Sequence, residues 1–444
     1  MKKFFALILA VLLSGCTTTQ VGSIYRPYFG SDNRPRDILV TIDGTGNSQI
    51  SRTNAARLFE IVDARATSPS GNELATYYGE GVGSEGELLG LAAGSGMSED
   101  IRNAYTFLTR TYRPKDRLVL SGFSRGAYAV RALNGMIAVA GIPDLSDRSP
   151  KDRKRIVKKL FKAYRNTPRG NMDIPARFEL RLSRVMDVYR EEGITPPQVN
   201  HETPVLAMAI WDTVEAMGWP DYSIKPDERD RHYYLTNCNV GTTFHAMALD
   251  DNRAYSFTPI FAKGAKNFAM CPERQRSGAV DEVWFAGAHA DVGGSYAPDD
   301  HVEGHLPGVS MNWMLKRMAS IGFVPEGTSV FADPMGPIHD AKANNPAYKI
   351  LDRHFRYPME YGEVMEMKAK QQFHRTAIER LEKALEIDRH FAQCRDGKLG
   401  RTMLCGHQLR VFGPVAELRD RGCLVETATG YRLKKDQPCI EVVD

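Results

Sequence analysis

The sequence predicts an α/β protein, built on a largely parallel sheet with helices on both faces. Short apolar runs rich in Val, Ile and Leu recur along the chain, and each stops at a turn containing Gly or Asp. Stretches with helical spacing separate them, the alternation expected of strand–helix–strand units. The chain has 444 residues, 42% hydrophobic and 25% charged, which is long enough to bury a full core. That composition excludes a disordered chain and a multi-spanning membrane protein. The 58 basic and 54 acidic residues leave a formal charge of +4, so nothing in the charge calls for a nucleic-acid partner.

The amino terminus sets the expected compartment. Lys2 and Lys3 precede an apolar stretch over residues 4–13 that is too short to span a bilayer. It ends in Leu13-Ser14-Gly15-Cys16, which resembles the bacterial lipobox. The expectation is a signal peptide over 1–15, lipidation at Cys16 and a polar tether over 16–36. Several acyl chains would make a stable membrane anchor where one would not. Thr17 after the cysteine leans toward the outer membrane, facing the periplasm. Of the seven cysteines, Cys394, Cys405, Cys423 and Cys439 crowd the last 51 residues. In an oxidising compartment that crowding reads as a tail stapled by disulfides.

The elements follow in order. Residues 37–43 read as a buried strand that stops at Gly44-Thr45-Gly46-Asn47. A helix follows over 53–63, capped by Thr53 or Asn54, and then a strand over 75–78. Residues 98–112 have helical spacing, with Ser98 as the expected cap. A third strand, 117–121, runs into Gly122-Phe123-Ser124-Arg125-Gly126 and a helix of small and apolar residues. Charged, mostly helical sequence over 144–200 interrupts the alternation as a helical cap insertion. Strands over 204–210 and 282–286 then end at Trp211-Asp212-Thr213 and Gly287-Ala288-His289-Ala290-Asp291. The core domain is drawn over 37–345, with a small α+β extension over 346–444 that holds one long polar helix at 363–393.

Gly122-x-Ser124-x-Gly126 is a weak signal alone and a specific one between a strand and a helix. A sharp strand-to-helix elbow lifts a serine hydroxyl above the sheet edge, which makes the fold α/β-hydrolase-like. A serine nucleophile needs a base, and the base needs an orienting acid. Asp212 and His289 lie at later strand ends, in the chain order Ser, Asp, His that this fold uses. The N–H of Arg125 and those of the Gly44-Thr45 loop are the candidate oxyanion donors.

Rival assignments exist. His339 sits in a late loop where a hydrolase base could lie, Asp291 could orient a histidine, and His245 precedes the Asp250-Asp251 pair. Asp43, Asp212, His289 and Asp291 could instead hold a hard divalent cation in a metal-dependent hydrolase. A third possibility is a non-catalytic envelope lipoprotein that binds a partner through its tail.

Seven blocks carry a resemblance. They are Ile42-Asp43-Gly44-Thr45-Gly46-Asn47, Thr53-Asn54-Ala55-Ala56-Arg57-Leu58, Tyr77-Tyr78, Ile101-Arg102-Asn103-Ala104-Tyr105, Gly122 to Tyr128, Trp211-Asp212-Thr213-Val214 and Val283 to Gly294. In this order they resemble the α/β-hydrolase domain family, formerly uncharacterised, that includes the first class of type VI secretion lipase effectors. The resemblance spans 37–345 and leaves 346–444 unmatched. It implies a serine esterase acting on phospholipid or another acyl ester, with Ser124, Asp212 and His289 as the triad and no cofactor. The lipobox-like start departs from that family's usual pattern.

The insertion has a character of its own. Residues 148–169 hold ten Lys or Arg against Asp152 alone, with Ile156, Val157, Leu160, Phe161 and Tyr164 at helical spacing. A basic amphipathic helix can lie on an anionic membrane as a lid. The simpler expectation is a helix that packs its apolar stripe on the core and solvates the rest.

Overall fold

The structure, a computed structural model, describes residues 23–26, 34–44, 47–81, 93–166, 172–197, 205–214, 239–254, 257–263, 280–296, 306–336, 338–339, 355–364, 367, 369–384, 403–404, 413–435 and 439–444. The expected signal peptide, Cys16, Thr45, Cys238, Cys271, Cys394 and Cys405 lie outside the described residues.

Among the described residues nine strands make one sheet. They are β1 (Ser23–Arg26), β2 (Arg36–Ile42), β3 (Glu73–Gly79), β4 (Arg117–Phe123), β5 (Val205–Trp211), β6 (Val240–Ala248), β7 (Val280–Phe285), β8 (Gln372–His374) and β9 (Glu441–Val443). Their spatial order is β1-β3-β2-β4-β5-β6-β7-β8-β9, parallel throughout except for the antiparallel β1–β3 pair at one edge. Every residue of β2 is buried, as a strand covered on both faces requires. Ile38, Val40 and Ile42 face one core and Leu39 the other, the two-residue alternation of a pleated strand.

The helices of the described residues are, in chain order, α1 (Asn54–Asp63), α2 (Ala93–Thr111), α3 (Arg125–Ala140), α4 (Pro150–Arg165), α5 (Ile174–Glu192), α6 (His289–Gly293), α7 (Pro307–Ser320), α8 (Pro358–Val364), α9 (Arg375–Glu382) and α10 (Gly413–Asp420). Side chains of α2 to α5 fill one core with Ile38, Leu118 and Met208. Those of α1, α7, α9 and α10 fill the other with Leu39, Val119 and Trp284. Among the described residues no helix is long and apolar enough to cross a membrane.

The expected insertion is helical, and it belongs to the helical layer. Ile156, Val157, Leu160, Phe161 and Tyr164 are all buried in the core that α2 and α3 share. Two hydroxyls pin the layer: Tyr164 donates to the Ala132 carbonyl at 3.1 Å and Tyr189 to the Ala140 carbonyl at 2.6 Å. The basic face stays outward, where Arg155 and Lys159 pair with Glu192 at 2.6 and 2.7 Å.

The structure corrects several expected elements. Residues 23–26, expected in the tether, form β1, which pairs with β3. The helix expected at 98–112 begins at Ala93, which puts Ser98 inside α2 rather than at its cap. β6 was not anticipated, because Gly241-Thr242-Thr243 breaks the apolar run at its start. The long helix expected at 363–393 is divided where described: α8 ends at Val364, β8 joins the main sheet, and α9 follows. Polar composition reads as solvated helix, but a strand of three residues, paired here with β7 on one side and β9 on the other, is chosen by its neighbours rather than by its own sequence.

The boundary at 345 also moves. β8 and β9 extend the same sheet, and Phe373, Leu381, Leu418 and Ile440 share a core with Trp284 and Trp313. Within this region Cys423 and Cys439 form a disulfide with their Cα atoms 5.9 Å apart, a staple of the kind expected of the tail. A loop of this size stabilises by roughly 3 kcal/mol in the chain-entropy picture.

Candidate active site

Register brings the chemistry to one edge. Ile42 pairs with Gly122, Phe123 with Trp211 and Ala248 with Phe285, so the carboxyl ends of β2, β4, β5, β6 and β7 finish together. The chain leaves β2 for β3 on one side and β4 on the other. Asp43 and Ser124 therefore flank the point where the strand order reverses, the usual ligand crevice of an open parallel sheet.

Ser124 occupies the elbow with φ +60° and ψ −126°, a conformation that L residues adopt rarely and at a cost of about 1–3 kcal/mol. Two glycines allow the turn. A Cβ on Gly126 would lie 2.1 Å from the Ile42 carbonyl oxygen, and one on Gly122 would lie 2.7 Å from the Gly126 carbonyl carbon. The helix thus crosses the end of β2 at backbone contact.

The Ser124 hydroxyl lies 2.7 Å from His289 Nε2, and His289 Nδ1 lies 2.5 Å from Asp212 Oδ2. With the carboxylate on Nδ1, that nitrogen carries the proton and Nε2 accepts from Ser124. The Phe123 and Phe257 rings pack on the imidazole at 4.6 and 5.0 Å between centroids. Burial pushes the His289 pKa below its ordinary value against the pull of Asp212, so the ring is held neutral. Burial alone would raise the Asp212 carboxyl, but Arg356 and His289 outweigh it and hold it at about 2.

Asp212 uses both oxygens. Oδ1 accepts from the Ala248 N–H at 3.0 Å and from Arg356 Nη1 at 2.7 Å, while Oδ2 serves His289. Asp251 accepts the His289 backbone N–H at 3.2 Å and pairs with Arg253 at 2.6 Å. Arg253 lies over the Phe257 ring at 3.7 Å.

The rival residues are engaged elsewhere. His339 Nδ1 lies 2.6 Å from Asp291 Oδ1, and Asp291 Oδ2 accepts from the His339 and Ala288 N–H groups. The two form a pair at the start of α6, and it is His289 rather than His339 that lies against Ser124. His245 is fully buried between Glu282 at 2.8 Å and the Thr213 N–H at 3.2 Å, where it braces the turn after Asp212.

Asp43 accepts from Thr53 Oγ1 and Tyr78 OH, each at 2.6 Å, and from the Gly44 N–H at 2.7 Å. Burial raises its carboxyl to about 6 against these bonds. The Gly44 N–H is thereby taken by its own neighbour, a correction to its expected role as an oxyanion donor. Arg125 is the first residue of α3, at the helix end whose dipole favours negative charge. Among the described residues no group of three or more His, Cys, Asp or Glu is arranged to hold a metal ion. Asp43, Asp212 and Asp291 belong instead to three separate hydrogen-bonded sets.

Sequence reasoning named Ser124, Asp212 and His289, noted Asp251 only as a neighbour of His245, and missed Arg356, Arg253 and Phe257. The Asp250-Asp251 pair after an apolar run was a readable signal. Arg356 had none, since it stands in no motif.

A parallel sheet with a serine elbow, a histidine and an aspartate at its carboxyl edge defines the α/β-hydrolase type of fold. The family model for the type VI secretion system phospholipase effector Tle1-like catalytic domain matches residues 36–317, and the chain belongs to that family. A curated but uncharacterized protein of Saccharomyces cerevisiae is 29% identical over 409 residues, covering 67% of this chain and 59% of its own length. An uncharacterized protein from Pseudomonas aeruginosa of solved structure has a TM-score of 0.39 at 15% identity, covering 82% of this chain and 55% of that one. A thermophilic esterase from Thermogutta terrifontis has a TM-score of 0.34 at 13% identity, covering 70% and 94%.

Proposed function

We propose that the protein is a serine hydrolase that cleaves carboxylic esters of lipids, with phospholipid as the leading substrate class. The observation that carries this reading is the chain of contacts from Ser124 Oγ through His289 to Asp212, at 2.7 and 2.5 Å. Membership of a phospholipase effector family supports the lipid substrate. Ser124 attacks the acyl carbonyl while His289 Nε2 takes its proton, and Asp212 holds the tautomer and steadies the imidazolium. The Arg125 N–H faces the developing oxyanion, as the residue after the nucleophile does at such elbows. His289 then gives its proton to the leaving alcohol, and water releases the acyl group from Ser124 by the same route.

The proposed setting is the periplasmic face of the outer membrane, with the chain tethered through lipidated Cys16. The lipobox-like Leu13-Ser14-Gly15-Cys16 supports it. Radiolabelled palmitate incorporated by the full chain and lost in Cys16→Ala tests the anchor.

The test of the chemistry is fluorophosphonate labelling of the protein beside Ser124→Ala and His289→Ala. Labelling should be present in the parent and absent from both variants, with phospholipid turnover following it. Labelling that survives in His289→Ala would remove His289 as the base. A folded parent that takes no label and turns over no ester would overturn the serine reading.

A further inference from the structure

We propose that Arg356 is a positioning residue that acts through Asp212 to keep the His289 base neutral, so that the working pH range extends further into acid. This rests on the triad reading above. Arg356 lies beyond the family-matched residues 36–317 and is fully buried. Its Nη1 donates to Asp212 Oδ1 at 2.7 Å and to the Ala248 carbonyl at 2.8 Å, and its Nη2 donates to the Phe257 carbonyl at 2.6 Å. One guanidinium thereby ties together the acid of the triad, the end of β6 and the residue whose ring packs against His289.

The charge count around the imidazole gives the consequence. Asp212 and Asp251 face His289 with negative charge; Arg253 and Arg356 stand against them with positive charge. Asp250, beyond Asp251, accepts the Gly287 N–H and has its carboxyl raised to about 6 by burial, with Arg380 and Asp291 as its charged neighbours. Asp291 itself pairs with His339, and Tyr361 lies near Arg356. Among the described residues these two carboxylates and two guanidiniums balance in charge. Without Arg356 one negative charge stands uncompensated beside the ring, and an uncompensated anion favours imidazolium. A protonated His289 cannot accept from Ser124.

Arg356 contacts no reacting atom, so its effect should appear in the pH profile. In Arg356→Gln and Arg356→Met the acid limb of kcat/KM for a soluble ester should move up by about one pH unit, with the loss greatest at low pH. Arg356→Lys keeps the charge with fewer donors, so its limb should stay at the parent position even if kcat falls. The pH dependence of fluorophosphonate labelling gives the same reading without turnover. A merely structural role would lower the rate equally at all pH values in the neutral variants, and that outcome would overturn the proposal. So would a shifted limb in Arg356→Lys, which remains informative if the neutral variants fail to fold. A parent that takes no label would instead sink the triad reading, so the two failures are distinguishable.

Discussion

Asp212 is fully buried and yet ionised, because each of its oxygens meets a positive or donating partner. Replacing it with Asn keeps the shape and removes the acceptor that sets the histidine tautomer. Asp212→Asn should therefore lower kcat by on the order of 10⁴ with little change in the melting temperature. A fall of less than tenfold in a steady-state assay would argue that another group orients His289. Asp100 is the opposite case. It is buried in α2, its Oδ1 has no hydrogen-bond partner among the described residues, and burial with the nearby Glu99 raises its carboxyl to about 8. A folded-state pKa above the unfolded value gives stability that is complete below about pH 4 and lost as pH rises toward 8. Asp100→Asn does not titrate. Its stability relative to the parent should grow by about 1 kcal/mol per pH unit across that window, and denaturant midpoints between pH 5 and 8 would read it. A pH-independent difference would mean that Asp100 is not held protonated.

Elements are placed by close backbone approaches as much as by side-chain packing. α3 meets the end of β2 at Gly126, where an added Cβ would sit 2.1 and 2.4 Å from the carbonyl oxygens of Ile42 and Asp43. Neither strand end can retreat without disturbing the pairing of β2 with β3 and β4. Gly126→Ala should thus cost about 3 kcal/mol or more and abolish Ser124 labelling. Gly193, the cap of α5 at φ +61°, would place an added Cβ with no atom of the described residues within 4 Å. Gly193→Ala should cost only about 1–2 kcal/mol, from the left-handed backbone alone, and keep the label. Thermal melts of the two variants side by side would test the contrast. α4 illustrates how far a local pattern carries: its spacing named the buried stripe, but the partners α2 and α3 came from packing.

At the scale of the whole molecule, the last hundred residues are part of the catalytic body. They supply β8, β9 and one side of the larger core, and Arg356 reaches from them to Asp212. A chain ending at residue 345 should lose cooperative unfolding and fluorophosphonate labelling together. A truncated protein that melts sharply and takes the label would show that the sheet closes without its last two strands. The stapled Cys423–Cys439 loop lies in the same region, where Leu424 and Ile440 join the core.

What was legible in the sequence is what local pattern can encode. Apolar runs marked β2, β4, β5 and β7, and each chemically loaded residue stood where such a run stopped: Asp43, Ser124, Asp212, His289. Parallel pairing then guarantees that strand ends share an edge, so the convergence of Ser124, Asp212 and His289 follows from the sequence pattern alone. The sequence could not separate β8 from the polar helix around it, because three residues carry too little pattern. Nor could it see that Asp43 folds back on Gly44, or that His339 pairs with Asp291. Arg356 and Asp212 are 144 residues apart, and nothing in either neighbourhood refers to the other. Such pairings are decided only when the sheet assembles, because burying a charge is tolerable only where the fold delivers its partner.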